Sequence, residues 1–237
     1  MKRNHSGFTL IEIAIVLVII GLLLGGVLKG QELINSAKVK NLATDFRNIP
    51  VFIYGYQDKF RALPGDDAAV TTHLPGATTC SISAGKCNPG NGWIDGNWND
   101  TAATSESYIF WQHVRLAGLT SGSTDTNTAT TPATTYLPVN AAGGIIGIQS
   151  GTSSLTSTPI KDSTGTVAIR GTYIICSAGI LGKFVKQLDI QMDDGNPATG
   201  SMMAGTATTA GSPMTAAPLT GAGAIDDAAV YTACMGV

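Results

Sequence analysis

The sequence predicts an α+β fold: a long N-terminal α-helix, membrane-spanning and then amphipathic, packed on a small antiparallel β-sheet. Three observations lead there. Phe8–Leu28 is an apolar run in which Glu12 is the only charge and Thr9 the only other polar side chain. Apolar residues then recur at spacings of mostly three and four as far as Tyr56. Beyond Leu63-Pro64-Gly65-Asp66, which reads as a helix stop, short apolar runs alternate with segments rich in Gly, Thr, Ala and Ser.

The apolar run comes first. Its 21 residues make about 30 Å of helix at 1.5 Å per residue, enough to cross a bilayer core. Lys2, Arg3 and His5 precede it. A secretory signal would end in a small-residue cleavage site, whereas Leu28 is followed by Lys29-Gly30-Gln31-Glu32, so the segment reads as a retained membrane helix. A carboxylate inside such a helix costs about 2.5–3.5 kcal/mol at mid-membrane and less near its edge, which makes Glu12 a candidate functional residue.

After Leu28 the pattern becomes amphipathic, with Leu33, Ile34, Ala37, Leu42, Phe46, Ile49, Ile53 and Tyr56 on one stripe and Lys38, Lys40, Asp45, Arg47 and Asp58 between them. Pro50 removes one backbone bond and predicts a kink near Phe46–Pro50 rather than an end. Glu106–Leu119 is predicted as a short helix with Ser105 as its N-cap and with Tyr108, Ile109, Trp111, Val114, Leu116 and Leu119 facing inward. Gly144–Gln149, Thr166–Arg170, Thr172–Ser177 and Asp227–Cys234 are the strand candidates, and Ile180–Met192 reads as a further helix. Thr120–Pro138 and Met202–Pro218 are low in charge and read as irregular.

Gly7-Phe8-Thr9-Leu10-Ile11-Glu12, behind a short basic leader and ahead of a spanning helix, resembles the processing site of type IV prepilins and pseudopilins. The resemblance implies cleavage between Gly7 and Phe8 by a prepilin peptidase and methylation of the new amino group. It also implies assembly through Phe8 and Glu12, the carboxylate pairing with the cationic N-terminus of a neighbouring subunit. The partners implied are a second copy of the chain in a helical filament, the peptidase, the membrane and the assembly machinery. The expected organisation is a leader at 1–7, a transmembrane or filament-core helix at 8–30, an amphipathic continuation at 31–62 and a head at 63–237. The precursor is expected in the inner membrane with its leader cytoplasmic and its head periplasmic, and the assembled filament outside the cell.

Composition excludes several other classes. The net charge is −2, and removing Lys2 and Arg3 takes it to −4 (−2 minus 2), so no nucleic-acid partner is evident. There is no G-x-S-x-G, no H-E-x-x-H and no phosphate-binding glycine loop, and the chain is expected not to be an enzyme. Cys80, Cys87, Cys176 and Cys234 have no CxxC spacing, which disfavours zinc. An even count in an exported chain reads as two disulfides. Of the three pairings, a local Cys80–Cys87 loop with a Cys176–Cys234 clamp is favoured, and the others stay open. No cofactor is expected apart from one calcium candidate. Asp95, Asn97, Asn99 and Glu106 stand at positions 1, 3, 5 and 12 of a calcium-loop spacing, although Asp100 occupies the place of the turn glycine. Asp189, Asp193 and Asp194 form a second oxygen cluster, weighed against a solvated loop after a helix. Two other readings compete with a pilus subunit: a type II secretion pseudopilin, and a single-pass anchored periplasmic binding protein or enzyme.

Overall fold

The structure, a computed structural model, describes residues 10–82, 85–206 and 212–237. In chain order its elements are α1 (Leu10–Phe60), α2 (Val70–His73), α3 (Glu106–Leu116), α4 (Ala133–Tyr136), β1 (Ile146–Ser150) and β2 (Ile160–Lys161). They continue with β3 (Tyr173–Leu181), α5 (Gly182–Met192), β4 (Met202–Thr206), β5 (Met214–Ala216) and β6 (Val230–Gly236). Contacts divide the chain into two units, Met1–Lys38 and Val39–Val237.

In the first unit, residues 10–38 are helical and their large apolar side chains are exposed, from Leu10 at 92% to Ile20 at 46%. Leu33 and Ile34, placed on the amphipathic stripe by their spacing, belong to this exposed stretch. In the second unit the stripe is a true packing face: Val39, Leu42, Ala43, Phe46, Ile49, Ile53 and Tyr56 are buried. α1 runs through Pro50 without ending, because the ring removes one donor and leaves the rest of the ladder intact. It stops at Arg61, whose φ of 56° is left-handed. The Arg61 amide still bonds the Gln57 carbonyl at 2.9 Å.

The sheet has six strands in the order β1-β3-β6-β4-β5-β2. It corrects the antiparallel expectation: four pairings are antiparallel, but β2 runs parallel to β5, so the sheet is mixed. Strand alternation sorts its side chains. Tyr173 and Ile175 of β3, Met202 and Ala204 of β4, and Ala233 and Met235 of β6 join a core with Leu42, Phe46, Ile53, Tyr108 and Phe110. Ile174, Cys176, Met203 and Cys234 face the other way and pack with Trp98, Ile160, Ile169 and Met214. Both faces are covered, which is why β1 and the first half of β3 are buried at every position.

Several sequence expectations are corrected. Thr166–Arg170 is not a strand; it makes one isolated bridge, Lys161 to Ala168, because Asp162 turns the chain by accepting the amides of Thr166 and Val167. α3 ends at Leu116 rather than Leu119, and Gly118 takes φ +77° beyond it. Ile180 and Leu181 finish β3 instead of starting α5. Thr120–Pro138 contains α4, and the low-charge segment from Met202 contains β4 and β5. Ser105 is the N-cap residue of α3, yet its side chain does not cap: the hydroxyl bonds Ser107 Oγ at 2.7 Å and reaches the Asp95 carbonyl at 3.4 Å.

Candidate functional site

Gly7 and Phe8, the expected processing residues, lie outside the described residues. Glu12 is in the first turn of α1, where a carboxylate favours the positive end of the helix dipole. The window of α1 that is long and apolar enough to cross a membrane has none of its residues buried. A helix apolar on all sides and unburied has to find another apolar medium, either lipid or other helices.

The second unit is organised around α3, a helix buried from Glu106 to Arg115. Its apolar side chains fill the core, and its polar ones hold loop backbone. Glu106, wholly buried, accepts the amide of Asn88 at 2.7 Å through Oε1 and that of Asp95 at 2.9 Å through Oε2. Gln112 accepts the Thr78 amide at 2.7 Å and donates to the Thr124 carbonyl at 2.8 Å. His113 accepts the Gly65 amide at Nδ1, 2.9 Å, and faces the Thr78 carbonyl with Nε2 at 2.9 Å. These partners require the neutral ring with its proton on Nε2, and burial holds the imidazole pKa below its ordinary value. Arg115 donates to the Ser123 carbonyl at 2.8 Å and lies 4.9 Å from the centre of the Tyr136 ring. Gly65 is needed here, because at φ +92° any Cβ would collide with the Glu106 carbonyl.

Two buried aspartates do similar work beside α1. Asp66 accepts the amides of Asn91 at 3.0 Å and Gly92 at 2.7 Å, with that of Gly90 beside them. Asp67 accepts from Tyr56 Oη at 2.8 Å, lies 2.7 Å from His73 Nδ1, and takes the Ala69 amide at 2.9 Å. Sequence reasoning missed these roles and that of Gln112. The available signal was polar residues on every side of a short helix otherwise made of Tyr, Ile, Phe, Trp and Val.

The cysteines form Cys80–Cys87 and Cys176–Cys234 disulfides. Cys176 and Cys234 stand opposite each other on β3 and β6. Cys80 and Cys87 lie against the Glu106 carboxylate, but sulfurs joined to each other are not thiolate ligands, so this trio is no metal set.

The calcium-spaced residues are brought together only in part. Glu106 turns both oxygens to loop amides, one of them the backbone of Asp95, whose own carboxylate takes Asn91 Nδ2 at 2.9 Å. Asn97 gives its carbonyl to Ser107 Oγ at 2.7 Å and its amide to Asp100 at 3.1 Å. Asn99 lies on the same turn, partly exposed. Asp189, Asp193 and Asp194, by contrast, do converge, with a carboxylate oxygen of each within 4.8 Å of the others. Burial, with Asp194 and Asp193 adding to it, pushes the Asp189 carboxyl up to about 7. Burial also pushes Glu106 up to about 7, against the two amides that favour its charged form.

An apolar N-terminal helix with Glu12 in its first turn, joined in sequence to a disulfide-braced α+β unit, fits a membrane-anchored precursor. Residues 2–28 match the family described as the prokaryotic N-terminal methylation motif, and this is the type IV prepilin-like signature. No curated protein and no solved structure matches the chain.

Proposed function

We propose that this chain is a structural subunit of a type IV pilus or pilus-like filament, cut after Gly7 by a prepilin peptidase and drawn from the inner membrane into a helical assembly of its own copies. The methylation-motif match over residues 2–28 carries the reading, and the unburied apolar face of α1 supports it. The motif and the long apolar helix fit an inner-membrane-anchored precursor, and the motif's family is structural rather than enzymatic. In this reading Glu12 pairs with the N-terminal ammonium at Phe8 of an adjacent subunit. A carboxylate one turn inside an apolar bundle is disfavoured alone and tolerable when paired, and the attraction grows as the effective dielectric falls. A head rich in Gly and Thr with little charge suits an outer filament surface, and it favours a pilus over a pseudopilus.

The test separates processing from assembly. Intact-mass analysis of membrane and sheared-filament fractions should find a chain starting at N-methylated Phe8. Glu12→Val should be cut normally while filament-borne subunit falls at least tenfold, with Glu12→Asp intermediate. Retention of residues 1–7 would favour an anchored periplasmic protein. Normal filament yield from correctly cut Glu12→Val would remove the carboxylate from the assembly contact.

A further inference from the structure

Asp189 has no exposed surface, and neither of its carboxylate oxygens has a hydrogen-bond partner. The Gly195 amide and the Asp194 carboxyl both lie close enough to act on it, the first easing its charge and the second opposing it, but neither reaches full hydrogen-bond geometry. A buried carboxylate left this way costs more than almost any other polar group, so something has to compensate it. Its surroundings make the demand larger. Asp193 and Asp194 bring their own oxygens within 4.8 Å of it, and no lysine, arginine or histidine among the described residues forms an ion pair with any of the three. Asp189 also lies in the last turn of α5, whose C-terminal carbonyls add negative potential at the same place, and no basic residue stands in that turn.

The other two carboxylates are fixed beside it by loop donors, one on each oxygen. Asp193 accepts Ser201 Oγ at 3.0 Å and the Met202 amide at 2.8 Å, and its own amide bonds the Asp189 carbonyl at 2.7 Å. Asp194 accepts the Asn196 amide and Thr199 Oγ1, both at 2.8 Å. Gly200 closes the loop over Asp193 at φ +82°, where a Cβ would strike the carboxylate.

We infer that Asp189, Asp193 and Asp194 bind one hard divalent cation, calcium, which locks the loop after α5 onto the start of β4. Oxygen-only ligands disfavour zinc, which takes nitrogen and sulfur. An irregular set on a loop suits the flexible coordination of calcium better than the strict octahedron of magnesium. The calcium-spaced segment at Asp95–Glu106 is the weaker candidate: both oxygens of its buried acid, Glu106, already hold amides, whereas the buried acid of the other cluster, Asp189, has neither oxygen in full hydrogen-bond geometry.

The test uses the full chain in detergent, stripped with EGTA and dialysed against CaCl2, with calorimetry in parallel. The expected result is one equivalent of calcium bound below about 1 mM, and a Tm rise of about 5 °C or more at saturation. Asp189→Asn should weaken binding at least tenfold and melt in EGTA no lower than the parent. Asp194→Asn, at an exposed side chain, should weaken binding with the fold unchanged, so that misfolding of the first variant cannot hide the answer. Asn97→Ala/Asn99→Ala should bind as the parent does. Absence of binding at several millimolar calcium, unchanged affinity in both aspartate variants, loss of binding in the asparagine variant, or equal affinity for magnesium would each overturn the assignment.

Discussion

Glu106 and Asp189 are both wholly buried and both pushed up to about 7, yet they sit at opposite ends of their helices. Glu106 stands in the first turn of α3, where the dipole favours a carboxylate, and two loop amides point at it. Asp189 stands in the last turn of α5, where the dipole opposes it, beside two further carboxylates. Equal burial therefore hides unequal need. Glu106 is an organising centre of the loop from Asn88 to Asp95, whereas Asp189 is a liability unless a proton or a cation joins it. The lesson is that a raised pKa locates a buried acid and the hydrogen-bond inventory says what the acid is for.

The largest effect should come from a lesion that touches neither carboxyl, and it sets the scale. Replacing Cys176 and Cys234 by alanine frees a 58-residue separation and should cost about 4 kcal/mol in the chain-entropy account. The Cys80 and Cys87 pair, with a separation of 7, should cost about 2.5 kcal/mol. Calorimetry and subunit abundance should rank them in that order. Equal losses would show that the short loop is worth more than its length, through its contact with Glu106.

Next in size, Glu106→Ala strands the amides of Asn88 and Asp95 and leaves a cavity at the head of α3, for a loss of about 3 kcal/mol. Amide exchange should show the 88–95 loop opening before the rest of the unit. A loss below about 1 kcal/mol would mean that water replaces the carboxylate, and the contrast with Asp189 would collapse.

The smallest effect concerns pH. In calcium-free buffer, between the ordinary aspartate value near 3.8 and about 7, folded Asp189 holds a proton that the unfolded chain releases. Its contribution is therefore intact at low pH and is lost as pH rises through that window. Asp189→Asn removes this dependence, so the parent should fall behind the variant by about 2 kcal/mol at pH 8 and match it near pH 4. Comparing the two cancels the opposite trend of His113, whose lowered pKa makes stability fall as pH drops. Saturating calcium should abolish the gap, since the ion binds only the ionised site. A gap of the same sign and size with and without calcium would break the link between Asp189 and the cation.

What the sequence disclosed follows physical range. The apolar run, the stripe from Leu42 to Tyr56 and the strand around Ile174–Cys176 were legible because burial there is periodic within one segment. β2, β4 and β5 were not. β2 is only the pair Ile160–Lys161, β4 and β5 are drawn from Ala, Gly, Thr and Met, and each owes its strand state to a neighbour already in the sheet. Thr166–Arg170 misled for the converse reason: it has strand-like composition, but Asp162 commits it to a turn. At the sites, the spacing of Asp95 to Glu106 was visible while the partners of Glu106 were not, since the Asn88 amide reaches it across a sequence separation of 18. The aspartates at the end of α5 and just beyond it were visible as a cluster. Only burial revealed that both oxygens of Asp189 are enclosed with no donor in full hydrogen-bond geometry.

The bridge between β3 and β6 also has a mechanical meaning. It joins two adjacent inner strands of the sheet, on the face opposite the core that holds Leu42, Phe46 and Tyr108. Tension entering the chain on either side passes through the sulfurs and bypasses the chain between them, a sequence separation of 58. At about 3.4 Å per residue, roughly 200 Å of contour is withheld from any forced extension until the bridge is reduced. A single molecule pulled from both ends should lengthen by that much more in reductant, and α5 with its acidic loop lies wholly inside the shielded stretch.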